Sequence, residues 1–209
     1  MRRTALFLAS AAFLFAPIAL TPTIASAKSS GFSSTVSAPL QAPVKIEVVL
    51  SEDLAYRADN LPRKLSDRGS ASGLRSGFTG NGFYGDKALS DLVEEVYEEL
   101  NQDFAERGVV VSDNATTTLR VTIEDAKNNR PTFEQLSKEP SLSFESFGTG
   151  GAELSAELLD ATGQPLGTMS YRWFETSIDR YGFAQANGVW SDARRAISRF
   201  SKKTAKSLS

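Results

Sequence analysis

Carboxylates, lysines, tyrosines and hydroxyls are the only side chains with which this chain can do acid–base or nucleophilic chemistry. Its 209 residues include no His and no Cys. A Ser-His-Asp triad, a cysteine nucleophile, thiolate iron–sulfur ligation and the usual zinc sites each need one or the other. Glu153 and Glu157 form a carboxylate pair at i, i+4. Glycosidase carboxyls sit roughly 5–10 Å apart, and four strand residues give somewhat more. With no sugar-stacking aromatics beside them, a cross-strand salt bridge to Arg172 is the expectation. Lys64 and Ser66 have the wrong spacing for S-x-x-K, and Ser198 and Lys202 both fall on a helical pattern. A carboxylate- or Ser/Lys-dependent hydrolase has only these fragments behind it.

Two further patterns look chemical and fail in context. Asp160-Ala161-Thr162-Gly163 differs from the Asp-Thr-Gly of aspartic proteases by an inserted residue and has no second copy, whereas a hairpin turn accounts for it fully. Gly77-Phe78-Thr79-Gly80-Asn81-Gly82 has G-x-x-G-x-G spacing. A phosphate cradle needs such glycines between a strand and a helix N-terminus, and a P-loop needs G-K-[ST]. Here Lys87 is followed by Ala88, and Asp86 stands where a phosphate would sit. No catalytic residue, cofactor site or metal site is assigned.

Binding patterns remain. Arg130 lies beside turn residues and near Phe133, Phe144 and Phe147, a mixture that suits a ligand cleft or a partner epitope. The second candidate is a basic face formed by Arg195, Arg199, Lys202 and Lys206. Residues 194–206 hold six cations and no acid. Such a face could dock on an envelope protein or on anionic lipid or polysaccharide. Cations in a last helical turn also complement the macrodipole, which is the structural explanation of the same charges.

The N-terminus reads as an export signal. Arg2 and Arg3 precede the uncharged, mostly apolar run Ala5–Leu20, and Ala25-Ser26-Ala27 offers a cleavage site after Ala27. The run is short for a membrane span and contains Pro17. Cleavage leaves a chain of net charge −4, with no cysteine for a lipobox or a disulfide. The expectation is a periplasmic protein that is not a lipoprotein and has no transmembrane segment after cleavage. A net acidic exported chain also argues against nucleic acid.

The elements that must position these residues follow from hydrophobic period. Residues 28–43 read as a flexible lead-in, and 44–209 as a single domain. Val44–Leu50 alternates as a strand. Residues 51–86 read as a long loop, glycine-rich in its second half. Lys87–Arg107 is the clearest helix, with Asp86 as its N-cap and a stripe of Leu89, Leu92, Val93, Val96, Tyr97, Leu100 and Phe104. Gly108 ends it. Val109–Val111 and Thr118–Asp125 read as strands, Thr132–Lys138 as a helical turn and Ser141–Phe147 as a further strand. Glu153–Asp160 and Pro165–Phe174 form a hairpin in which Glu153 faces Arg172 and Leu154 faces Tyr171, so every opposed pair matches in polarity. A final helix buries Trp190, Ala193, Ile197 and Phe200. The expected fold is α+β, a two-layer sandwich of mainly antiparallel sheet with both amphipathic helices on one face.

The strand Val44–Leu50, the helix Lys87–Arg107, Leu119–Asp125, Asn129–Phe133, the Asp160–Gly163 turn and Trp190–Phe200 together resemble uncharacterised families of exported proteobacterial proteins of unknown function. The resemblance covers most of the chain beyond the signal. It implies a periplasmic place and carries no catalytic residues to transfer. Lipoprotein relatives of this kind have a lipobox Cys, which this chain lacks. The function expected is non-enzymatic binding of a partner protein or envelope component. The alternative is a small-ligand carrier with Asn128–Phe147 and the glycine-rich stretch as its mouth.

Overall fold

A computed structural model describes residues 31–40, 43–68, 81–176 and 188–209. The export signal and most of the glycine-rich stretch lie outside these residues. Five strands form one sheet: β1 (Gly31–Ser34), β2 (Val44–Leu50), β3 (Thr117–Lys127), β4 (Gly151–Leu159) and β5 (Pro165–Phe174). Their spatial order is β1-β5-β4-β3-β2. Three of the pairings are antiparallel, and β2 runs parallel to β3. Parallel neighbours need a crossover. Here it contains α2 (Asp86–Glu106), while α4 (Ser191–Leu208) follows β5. Two shorter helices, α1 (Glu52–Tyr56) and α3 (Phe133–Lys138), are also present among the described residues. The protein is α+β, an open, mixed and mostly antiparallel sheet packed against two main helices. Among the described residues, no helix is long and apolar enough to cross a membrane.

Alternation divides the sheet into two faces. Leu119, Val121 and Ile123 of β3, Leu154, Ala156 and Leu158 of β4, and Met169 and Tyr171 of β5 are buried. They form one core with Leu89, Leu92, Val96, Leu100 and Phe104 of α2 and with Ala193, Ile197, Phe200 and Leu208 of α4. The helical stripe falls as the 3.6 period requires, although Tyr97 at its margin stays 38% exposed. Gly108, at φ +74°, ends α2 in the left-handed conformation that glycine adopts without a Cβ clash. The hairpin has the register set by polarity: Glu153 opposite Arg172, Leu154 opposite Tyr171, and so on to Leu158 opposite Gly167.

Five expectations need correction. The lead-in contains β1, whose Phe32 pairs with Tyr171, so the sheet includes Gly31–Ser34. Its local sequence has no period because the free edge of β5 supplies its partners. The long loop contains α1, capped by Ser51, whose hydroxyl accepts from the Leu54 amide, and a 3-10 turn at Leu65–Arg68. A five-residue helix is too short to show a stripe. Asp86 is the first helical residue and not the cap, a position taken by Gly85. Val109–Val111 makes only a single bridge, Val44 to Val111. Residues 141–147 form turns and no strand, because the hydroxyls of Ser143 and Ser146 bond nearby amides and compete with a ladder.

Candidate functional site

The segment between β3 and β4 is built from buried polar contacts. The Asn128 side chain donates to the Arg130 carbonyl (2.8 Å) and to Gln135 Oε1 (2.6 Å). Gln135 closes a capping box with Thr132, which starts α3. Asn129 and Gly148 exchange bonds, and Asp192 at the start of α4 accepts from both the Asn129 side chain and the Gly150 amide. Nearly every group in this set has a buried partner, the exception being Asn128 Oδ1, so the segment is held rigidly.

On that support stand two of the expected binding residues. Phe133 is 82% exposed and Phe144 is 69% exposed. Their rings meet edge to face, 6.0 Å apart at 73°. Arg130 donates from Nη1 to the Phe144 carbonyl at 3.1 Å, tying the two arms together. Phe147 is half-buried in the same turn. Arg130, Phe133 and Phe144 are thus brought together as one exposed aromatic knob.

The basic face of α4 is more engaged than its pattern suggests. Arg194 pairs with Glu95 (3.2 Å) and Arg195 with Asp192 (3.5 Å). The Arg199 guanidinium lies 4.8 Å from the centre of the Trp173 ring, and Lys203 lies 5.8 Å from Phe32. Lys202 and Lys206 are exposed, and Ser198 is half-buried on the same helix.

A second feature was not anticipated. On the sheet face away from the two main helices, a cleft of about 590 Å³ is lined by β3, β4 and β5, by the α1 region and by Asn81. Asn81 is its one contribution from the glycine-rich stretch, and residues 128–147 contribute nothing to it. A β-bulge shapes it. Ile123 pairs with Leu154, but Asp125 pairs with Glu153, so Glu124 is an extra residue on β3. The sequence does carry a signal for this, since the buried series Leu119, Val121 and Ile123 steps by two and then by three to Ala126.

Most charges in the cleft are paired. Arg57 binds Asp125 at 2.7 Å and Asp53 at 3.3 Å. Arg172 binds Glu153, as expected of that register, and its guanidinium lies 4.7 Å from the Phe174 ring centre. Burial opposes the charge on Arg57, but Asp125 and its neighbours outweigh that and raise its pKa. Glu124 accepts from the Ser155 hydroxyl. Lys127 is half-buried, and burial lowers its pKa against a weaker pull from Asp125. Among the described residues, no group of three or more carboxylates is placed to hold a metal ion.

No family model matches the chain, and no curated protein matches it. Among solved structures it resembles the PelC dodecamer from Paraburkholderia phytofirmans, at 10% identity and a TM-score of 0.45, over 85% of this chain and 95% of that one. It also resembles XCC0632 from Xanthomonas campestris, of family DUF330, at 13% identity and a TM-score of 0.42, over 81% and 86%. A minor lipoprotein from Acinetobacter baumannii is similar at 8% identity and a TM-score of 0.32, over 78% and 89%.

Proposed function

We propose that this chain is a non-enzymatic periplasmic protein that binds a partner protein through the Phe133–Phe144 knob. The observation that carries the reading is the exposure of two edge-to-face rings on a rigid mount. Exposed aromatics normally cost solvation that burial against a partner recovers, and preordered aromatic anchors dominate interface energy. Around the knob, Glu134, Glu139 and Glu145 outnumber Arg130 and Lys138. That local balance suits a mixed protein rim and disfavours an anionic surface. The α4 face supports docking on anionic lipid or polysaccharide less well. Lys202 and Lys206 remain free to reach outward, and at about 1 kcal/mol per cation near an anionic surface they make a weak anchor. The periplasmic place rests on the export pattern of residues 1–27. The non-enzymatic reading is supported by Glu153 being held in an ion pair and by Lys202 being exposed while Ser198 is half-buried.

A photoreactive phenylalanine placed at 133 or 144 in producing cells tests this. Both positions should capture the same protein, and the exposed control position Val110 should not. Binding of that protein in purified form should then weaken about thirty-fold in the F133S/F144S double variant, the loss of one hot-spot contribution. If positions 133 and 144 share no captured protein, or if the variant binds unchanged, the reading fails.

A further inference from the structure

The cleft on the sheet's open face is separate from the knob, and its charge pattern specifies a complement. Its lining holds four carboxylates and three cations, a net charge of −1. Arg57 is satisfied by Asp53 and Asp125, and Arg172 by Glu153. That leaves one cation and one anion without an ion pair within 4 Å among the described residues, Lys127 and Glu124. Both are half-buried. Taking a charge partly out of water without a contacting counter-charge is costly, Asp125 offsets that cost at Lys127 only in part, and a ligand that supplies the contact removes the remainder.

We propose that this cleft binds a short zwitterionic peptide, its terminal carboxylate on Lys127 and its terminal ammonium on Glu124. Net charge excludes the simpler ligands. A phosphate or other multiply charged anion would add to an already negative lining, and a plain cation would leave Lys127 uncompensated. Spacing then selects length. Glu124 and Lys127 are three residues apart on β3, roughly 10 Å at about 3.3 Å per residue before the bulge shortens it. A tripeptide spans about the same distance when extended. The volume of about 590 Å³ lies within the range of small-ligand sites. Phe174 offers an apolar wall for a side chain, and Ser155, whose proton goes to Glu124, offers its oxygen to a peptide N–H. The lowered pKa of Lys127 agrees with a site that waits for an anion, because a bound carboxylate would raise it again.

Tri-L-alanine is the probe, titrated calorimetrically into the purified protein beside its N-acetyl, C-amide and doubly blocked forms. The free tripeptide should bind in the millimolar range or better, and blocking either end should weaken it about ten-fold, the loss of one charge-assisted contact. Lys127→Met should abolish the preference for the free carboxylate and keep that for the free amine, while Glu124→Gln should do the reverse. Comparing blocked and free peptides on the unaltered protein requires no variant to fold. Binding that ignores both blocks, no binding of tri-alanine, or discrimination that survives both substitutions would overturn the proposal.

Discussion

Tyr84 shows how much one side chain can join. Its hydroxyl donates to the Ala126 carbonyl at 2.9 Å, beside the β3 bulge, and its ring meets Trp190 edge to face at 5.2 Å, at the entrance to α4. Arg57 stands 5.9 Å from the ring centre. Burial pushes the phenol above its ordinary range, although the Arg57 charge pulls the other way. A group whose folded pKa exceeds its unfolded value holds stability below the unfolded value, about 10 for tyrosine, and loses it as pH rises through the folded value. Lys127 has the opposite sign, because its penalty is full below the lowered folded value and is relieved as pH rises from there to the unfolded value. The comparison that isolates Tyr84 is therefore between wild type and Tyr84→Phe. The variant should be less stable by about 1–2 kcal/mol at neutral pH, since it leaves the Ala126 carbonyl with one donor fewer. Above pH 10 the gap should narrow steadily in urea unfolding. A gap constant to pH 12 would mean that the phenol does not titrate with folding.

Among the elements, the β4–β5 hairpin was legible because one face is buried and one is not. A one-residue slip would turn Leu154, Ala156 and Met169 outward, so polarity alone sets the register. The two main helices were legible for the same reason at a different period. What could not be read locally was whatever depends on a distant partner. β1 exists because β5 has a free edge, and the cleft exists because a bulge aims Glu124 toward residues from four other segments. The aromatic knob lay between these cases, since Arg130, Phe133 and Phe144 were visible as types but their edge-to-face contact required the Asn128–Gln135 and Asn129–Asp192 bonds. The hairpin turn itself gives a test. Asp160 Oδ1 accepts from the Thr162 hydroxyl and from the Thr162 and Gln164 amides, which lowers its pKa, and Gly163 sits at φ +79°. A depressed carboxylate holds its stability above the ordinary value, and that stability is lost as pH falls through the folded one. Asp160→Ala should lower the melting temperature more at pH 7 than at pH 2, because the wild type progressively gives up the carboxylate's charge as pH falls toward its lowered value. An equal loss at both pH values would assign the effect to turn geometry instead of charge.

For the molecule as a whole, the exposed edges of its sheet decide whether it stays apart from its copies. β2 is covered at its start, where Val44 exchanges backbone bonds with Val110 and Ser112. The opposite edge would be β5, ten residues long, were β1 not paired along it. Ser33 bonds Ser170 at 2.8 Å, the Thr35 amide bonds the Thr168 carbonyl, and the Thr168 amide bonds the Thr35 hydroxyl. Such bonds are worth about 1 kcal/mol each net, and ordering each residue of the strand costs about 1–2 kcal/mol. The two nearly cancel, so β1 contributes little to stability beyond the partial burial of Phe32. Its effect lies in covering an edge that would otherwise pair with another chain. A chain that starts at Val36, which keeps that side chain against the core, should therefore unfold within about 2 kcal/mol of the longer one, a Phe-sized loss at most. It should also self-associate with rising concentration in sedimentation velocity, where the longer chain does not. A shortened chain that stays monomeric and is much less stable would make β1 a stabilising strand and not an edge cover.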